Sequence, residues 1–135
     1  MAERENYTGK AVFVAGGSSG INLALAQAFA RQGARVAIAS RSPERVEAAV
    51  AGLRAQGLPA WGYSADVRDA DAIGAALEQA HRQIGDFDVL VSGAAGNFVA
   101  PALGMSAKGF RTVVDIDLVG TFNVLRQGHA FLRKP

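Results

Sequence analysis

The 135-residue sequence contains no cysteine, which excludes disulfides, thiolate nucleophiles and thiolate metal ligands together. Histidine is nearly as scarce: His81 and His129 stand alone, without metal-like or triad spacing, so neither is given a role and no metal site is expected. No apolar run approaches the roughly 18 residues of a membrane span. The opening stretch MAERENYTGK is polar and lacks the apolar centre of a secretory signal, so a cytoplasmic protein is expected. A strong excess of one charge is missing as well. The net charge of +2 is small and evenly spread, which argues against a nucleic-acid partner. There is no repeat, low-complexity tract or linker, so residues 1–135 are read as one domain. No tyrosine follows Tyr63.

What is present is an ordinary globular composition, 50% hydrophobic and 19% charged, organised around residues 11–33. Ala11-Val12-Phe13-Val14-Ala15 is a short unbroken apolar run, the pattern of a strand buried on both faces. Gly16-Gly17-Ser18-Ser19-Gly20 then makes a turn. From Ile21 the period becomes helical, with Ile21, Ala24, Leu25, Ala28 and Phe29 on one expected apolar face and Gly33 as the stop. Strand, glycine turn and helix start aim unpaired N–H groups and a helix dipole at one point, which suits a phosphate. A tight strand-to-helix loop without a ligand is the alternative.

The pattern then repeats. Arg35 to Ala39 reads as a second buried strand, followed by a helix capped by Ser42 with Pro43 in its first turn and ending near Gly57. Ala60 to Ala65 is a third strand, and Asp66 to Asp69 a turn. The next helix carries Ile73, Ala76, Leu77, Ala80 and Ile84 at helical spacing and stops at Gly85. Asp88 to Ser92 is a fourth strand, running into Gly93-Ala94-Ala95-Gly96. A loop through Pro101 leads to a long helix from about Ser106 to Leu132. Alternation at this spacing implies an α/β fold, a parallel sheet with helices on both faces. Ligands bind such sheets beyond the carboxyl ends of the strands, where the unusual residues of this chain lie.

After the second strand an NAD site usually has an acidic residue; here the chain reads Ser40-Arg41. A guanidinium pairs with a phosphate through two parallel hydrogen bonds, whereas a carboxylate repels it. Arg41, with Ser40 and Ser42 as minor partners, therefore reads as a 2′-phosphate site for NADP, or else as a surface arginine near a helix start. Asp66, with the Val67 backbone beside it, could accept from an adenine amino group or cap a helix. Ala94 and its neighbours let backbone approach a cofactor, or simply form a close-packed turn. On the long helix Phe110, Val113, Val114, Leu118, Thr121 and Leu125 form an expected core stripe that includes Asp117. A carboxylate there is costly unless it binds backbone amides or serves a site as acid or polar orienter.

With these residues in place, the chain resembles the short-chain dehydrogenase/reductase family. Ala15-Gly16-Gly17-Ser18-Ser19-Gly20-Ile21-Asn22 is similar to that family's TGxxxGxG cofactor turn, Asp66-Val67 to its adenine-binding turn, and Ser92-Gly93-Ala94-Ala95 to its NNAG. Ala94-Ala95-Gly96-Asn97-Phe98, with Asp115-Ile116-Asp117 and Gly120-Thr121-Phe122-Asn123, resembles the 2,4-dienoyl-CoA reductase branch. The resemblance implies a Rossmann-like fold, the first half of a doubly wound domain, with NADP held by Gly16, Ser18, Ser19, Gly20, Ile21, Ser40, Arg41, Asp66, Val67 and Ala94. It further implies Asn97 and Phe98 beside an acyl-CoA substrate, Asp117 as catalytic residue, a role in fatty acid metabolism, and a homo-oligomer. Carbonyl or 3-oxoacyl reduction, or dinucleotide binding without catalysis, are the alternatives. Asn22 replaces the last glycine of the turn and is expected to crowd the helix against the strand or the pyrophosphate; Ser92-Gly93 replaces paired asparagines; Asp117 stands where most of the family has Asn. The family's catalytic serine and YxxxK pair lie downstream of the long helix, so the chain is expected to be truncated before them and inactive alone.

Overall fold

The computed structural model describes residues 6–135, so half of the polar opening stretch lies outside the described residues. Four strands, β1 (Ala11–Ala15), β2 (Arg35–Ser40), β3 (Ala60–Ser64) and β4 (Val89–Ser92), form one parallel sheet in the order β3-β2-β1-β4. Five helices follow in chain order: α1 (Gly20–Arg31), α2 (Pro43–Ala55), α3 (Ala70–Ile84), α4 (Ala107–Val114) and α5 (Gly120–Gly128). Because neighbouring strands run parallel, each must be joined by a crossover, and the helices provide it. Register is regular: Val12 opposes Val36 and Val89, and Val14 opposes Ile38 and Val91.

The two faces of β1 go to two different cores, as the pleat requires. Val12 and Val14 join Val36 and Ile38 under α1 and α2, with Ala26, Ala30, Val46 and Val50. Ala11, Phe13 and Ala15 join Ala37 and Ala39 under α3 and α5, with Ile73, Leu77, Phe87 and Val124. Phe13 and Phe87 are fully buried with ring centroids 5.5 Å apart, each contributing about 1.5–3 kcal/mol of burial. Ser42 caps α2 by accepting from the Arg45 N–H at 3.3 Å, as expected. The cap of α3 is Asp69, whose carboxylate accepts from the Ala72 N–H at 3.1 Å, which removes the cap reading of Asp66.

Two expected helix faces are corrected. On α1 the buried residues are Ala26 and Ala30, while Ile21 and Leu25 are exposed. The expected long helix is instead α4, a wide π-turn at Asp115–Val119, α5 and a closing 3₁₀ turn at His129–Phe131. Its core side is Gly120, Asn123, Val124 and Gly128, and Phe110, Leu118 and Leu125 point outward. The reason is distance. A Cβ at Gly120 would stand 2.5 Å from Val67 Cγ2, and one at Gly128 2.6 Å from Leu90 Cδ2, so glycine is what lets α5 lie against its neighbours. The close-packed side of such a helix carries the smallest residues, and apolar periodicity alone selects the wrong side.

Candidate functional site

The carboxyl ends of the strands open onto one cleft of about 590 Å³. Gly16 begins its floor with φ +78°, and a Cβ there would stand 2.7 Å from Ala94 N and 2.8 Å from Ala94 Cα. Both the left-handed backbone and the contact with the chain after β4 restrict this position to glycine. Its N–H donates to the Ala39 carbonyl at 2.7 Å, which ties the turn to β2. Ser18 Oγ donates to Ser40 Oγ at 2.8 Å, a second tie between the same elements. Ser19 is the N-cap of α1 but makes no side-chain cap bond. The first N–H groups of α1 and the positive end of its dipole thus open toward the cleft that Ser18, Ser19, Gly20 and Ile21 line.

The rim beyond β2 holds Ser40, Arg41, Ser42 and Arg45. Both guanidiniums are exposed on this wall, with Glu44 beside them accepting from Ser42 Oγ at 3.2 Å. The sequence reading missed Arg45. Its signal was the spacing from Arg41, with the capped start of α2 lying between them.

Beyond β3 the cleft is lined by Ala65, Asp66 and Val67. Both carboxylate oxygens of Asp66 accept from Arg68, the closest contact being Nη2 to Oδ2 at 2.7 Å, and the Arg68 N–H also donates to Oδ1 at 3.0 Å. The Arg68 side chain is the first cause that holds the Asp66 carboxyl below the usual carboxylate range. Val67 is fixed from behind, where Asn123 Nδ2 donates to its carbonyl at 2.8 Å. Asn123 is 8% exposed, the single buried polar side chain among the described residues. Sequence reasoning gave it no separate role.

Beyond β4 lie Gly93, Ala94, Ala95 and Gly96, with Ile116 across from them. Asn22 stands between α1 and the end of β4. Its amide occupies the space left by Gly93, and Nδ2 donates to the Gly93 carbonyl at 2.7 Å. All ten residues expected at a cofactor therefore line one cleft.

Asp117, Asn97 and Phe98 stand outside that lining. Asp117 is exposed, not core-facing, and sits in the π-turn. Its Oδ1 accepts from the Gly96 N–H at 2.9 Å, which places the carboxylate behind the loop that forms the cleft wall. Asn97 is exposed on the same loop, and Phe98, 53% exposed, has its ring edge near Gly109 of α4.

A family model described as short chain dehydrogenase matches residues 10–134. The peroxisomal 2,4-dienoyl-CoA reductase of Rattus norvegicus is 47% identical over 118 residues, covering 87% of this chain and 40% of the relative. That of Arabidopsis thaliana is 40% identical over 126 residues, covering 93% and 42%. The chain thus spans about two fifths of the length of the curated relatives it matches. Among solved structures, an actinorhodin polyketide ketoreductase crystallised with NADPH superposes with a TM-score of 0.82 at 29% identity, over 88% of this chain and 47% of that one. The parallel sheet, the glycine turn at its carboxyl edge and these likenesses lead to one statement: the chain belongs to the short-chain dehydrogenase/reductase family of oxidoreductases.

Proposed function

We propose that residues 1–135 form the NADP-binding half of an oxidoreductase that reduces the conjugated system of an enoyl- or dienoyl-CoA. The observation that carries this reading is the convergence of the glycine turn, the open N-terminus of α1 and the Arg41–Arg45 rim on one cleft. The groups present fit a phosphorylated dinucleotide. Gly16 leaves room for close backbone approach, the α1 N–H groups would bind the pyrophosphate, and Arg41 would take the 2′-phosphate in a two-bond fork with Arg45 beside it. Ser40 and Ser42 add hydroxyl partners. Asp66, held ionised by Arg68, and the Val67 backbone would receive the adenine.

A nicotinamide held by these residues would supply the hydride. Asp117, on the π-turn and tied to Gly96, would orient or carry the proton needed at the other end of the conjugated system. Asn97 and Phe98 lie on the adjoining loop, where they would border the acyl-CoA. The names of the relatives support the acyl-CoA assignment. In the whole protein we expect a homo-oligomer acting in fatty acid metabolism. The relatives are peroxisomal by name.

Titration calorimetry with NADPH and NADH tests the cofactor assignment. Arg41→Ala should weaken NADPH by about 1.5–3 kcal/mol, the range for hydrogen bonds to charged groups, with NADH little changed. Equal losses for both would remove Arg41 from the phosphate site.

A further inference from the structure

Two departures from the family's cofactor motif meet in space. Asn22 stands where the turn usually ends in glycine, and Gly93 stands where the strand usually ends in a paired asparagine. Asn22 Nδ2 donates to the Gly93 carbonyl at 2.7 Å, and a Cβ at Gly93 would fall inside the Asn22 amide. We infer that Asn22 is a positioning residue: its bond to Gly93 sets the spacing between the glycine turn and the end of β4, and Gly93 is glycine to admit it. This inference rests on the cofactor reading above, since the two residues lie on the floor of that cleft.

The bond spans a seam that the sheet itself does not close. β1 and β4 pair up to Ala15–Ser92, and the Gly93 N–H still donates to the Ala15 carbonyl at 3.0 Å. Beyond that point the ladder ends, and the first turn of α1 faces the start of the Gly93–Gly96 loop. In the usual motif the last glycine lets helix and strand pack closely. Here the side chain of Asn22 fills the gap and supplies a directional bond. The seam is also where Gly16 abuts Ala94, so a shift of Gly93 would move the backbone that closes the cleft floor. Gly93 is not among the positive-φ glycines, so its backbone accepts any residue and the Asn22 amide is what bars a side chain.

The cleft is longer than this seam. Arg41 and Asp66 lie at the β2 and β3 ends, away from it, whereas the β4 end would receive the nicotinamide half. Damage to the seam should therefore separate a whole dinucleotide from its adenosine part.

The test is a set of variants of the 135-residue chain, Asn22→Ala, Gly93→Ala and their combination, titrated with NADPH and with adenosine 2′,5′-bisphosphate. Each single substitution should raise the NADPH dissociation constant about three- to tenfold, the range expected for one hydrogen bond, and the combination no further. Adenosine 2′,5′-bisphosphate should stay within about twofold throughout. Asn22→Leu, which approximates the shape, stays neutral and removes the donor, should behave like Asn22→Ala and guards against a folding artefact in either alanine variant. Additive losses, or equal losses of both ligands, would overturn the inference while leaving the cofactor reading intact. A wild-type chain that binds neither ligand would overturn both.

Discussion

Gly16→Ala is the substitution that most directly joins fold to site. At φ +78° an L-residue costs about 1–2 kcal/mol in left-handed backbone. The new Cβ would also stand 2.7–2.8 Å from Ala94 backbone atoms, and backbone cannot swing aside as a side-chain tip can. Forcing such an overlap typically costs about 1–3 kcal/mol. Together the two effects give about 2–5 kcal/mol, a large part of the roughly 5–15 kcal/mol that holds a domain folded. In urea, with a slope of about 1–3 kcal/mol per molar, the midpoint should fall by about 1 M or more with the slope unchanged. Gly52→Ala is the control. Gly52 lies in α2 with nothing within 4 Å of its would-be Cβ, so alanine should stabilise there by about 0.5–1 kcal/mol. A Gly16→Ala midpoint indistinguishable from wild type would refute the packing of the glycine turn on the end of β4.

Asn123→Ala should destabilise by about 1–3 kcal/mol, because the Val67 carbonyl loses its buried donor; calorimetric melting checks it. Acid should also destabilise the chain. Asp88, bound by Arg133 and by the Ala11 N–H, and Asp66, bound by Arg68, are both held below the ordinary value of 3.8. A depressed carboxylate contributes stability that is complete above its unfolded-state value and is lost as pH falls through the lower folded-state one. Melting temperature should therefore drop below about pH 4, and Asp88→Asn should flatten that drop. In an active enzyme containing this chain, Asp117→Asn should cut turnover by about 10²–10⁴ with NADPH affinity unchanged if the carboxylate moves a proton; a change confined to thermal stability would leave it the anchor of Gly96.

The sequence made the sheet easy to read because β1 is fully apolar, β2 is apolar between Arg35 and Ser40, and the turn after β1 is marked by glycine. Ala11 to Ala15 cannot be anything but buried, and Gly16 and Gly20 carry the positive φ values that end one element and start the next. The wall of the cleft was legible for the same reason, since Arg41 directly follows β2, Asp66 lies two residues past β3, and topology fixes where strand ends point. Helix orientation was legible for α2 and α3, where the apolar stripe (on α3 Ile73, Ala76, Leu77, Ala80 and Ile84) is the buried face, but not for α1 and α5. Close approach puts glycine and alanine on the buried sides of α1 and α5, so Ile21 and Leu118 advertise a core they do not join. Pairings across sequence distance were also hidden: Asn22 with Gly93, and Asn123 with Val67, are separated by 71 and 56 residues. The π-turn around Asp117 has no signature in apolar periodicity, although such turns are frequent at functional sites.

Backbone hydrogen exchange with and without NADPH tests the central claim most directly. If the cleft at the strand ends is the cofactor site, NADPH should protect residues 16–22, 40–45, 65–67 and 93–96 together, because these four segments form its walls. The groove between α2 and the edge strand β3, lined by Val46, Glu47, Val50 and Gly62, should exchange as before. Protection confined to that α2–β3 groove, or none at the glycine turn, would contradict the account.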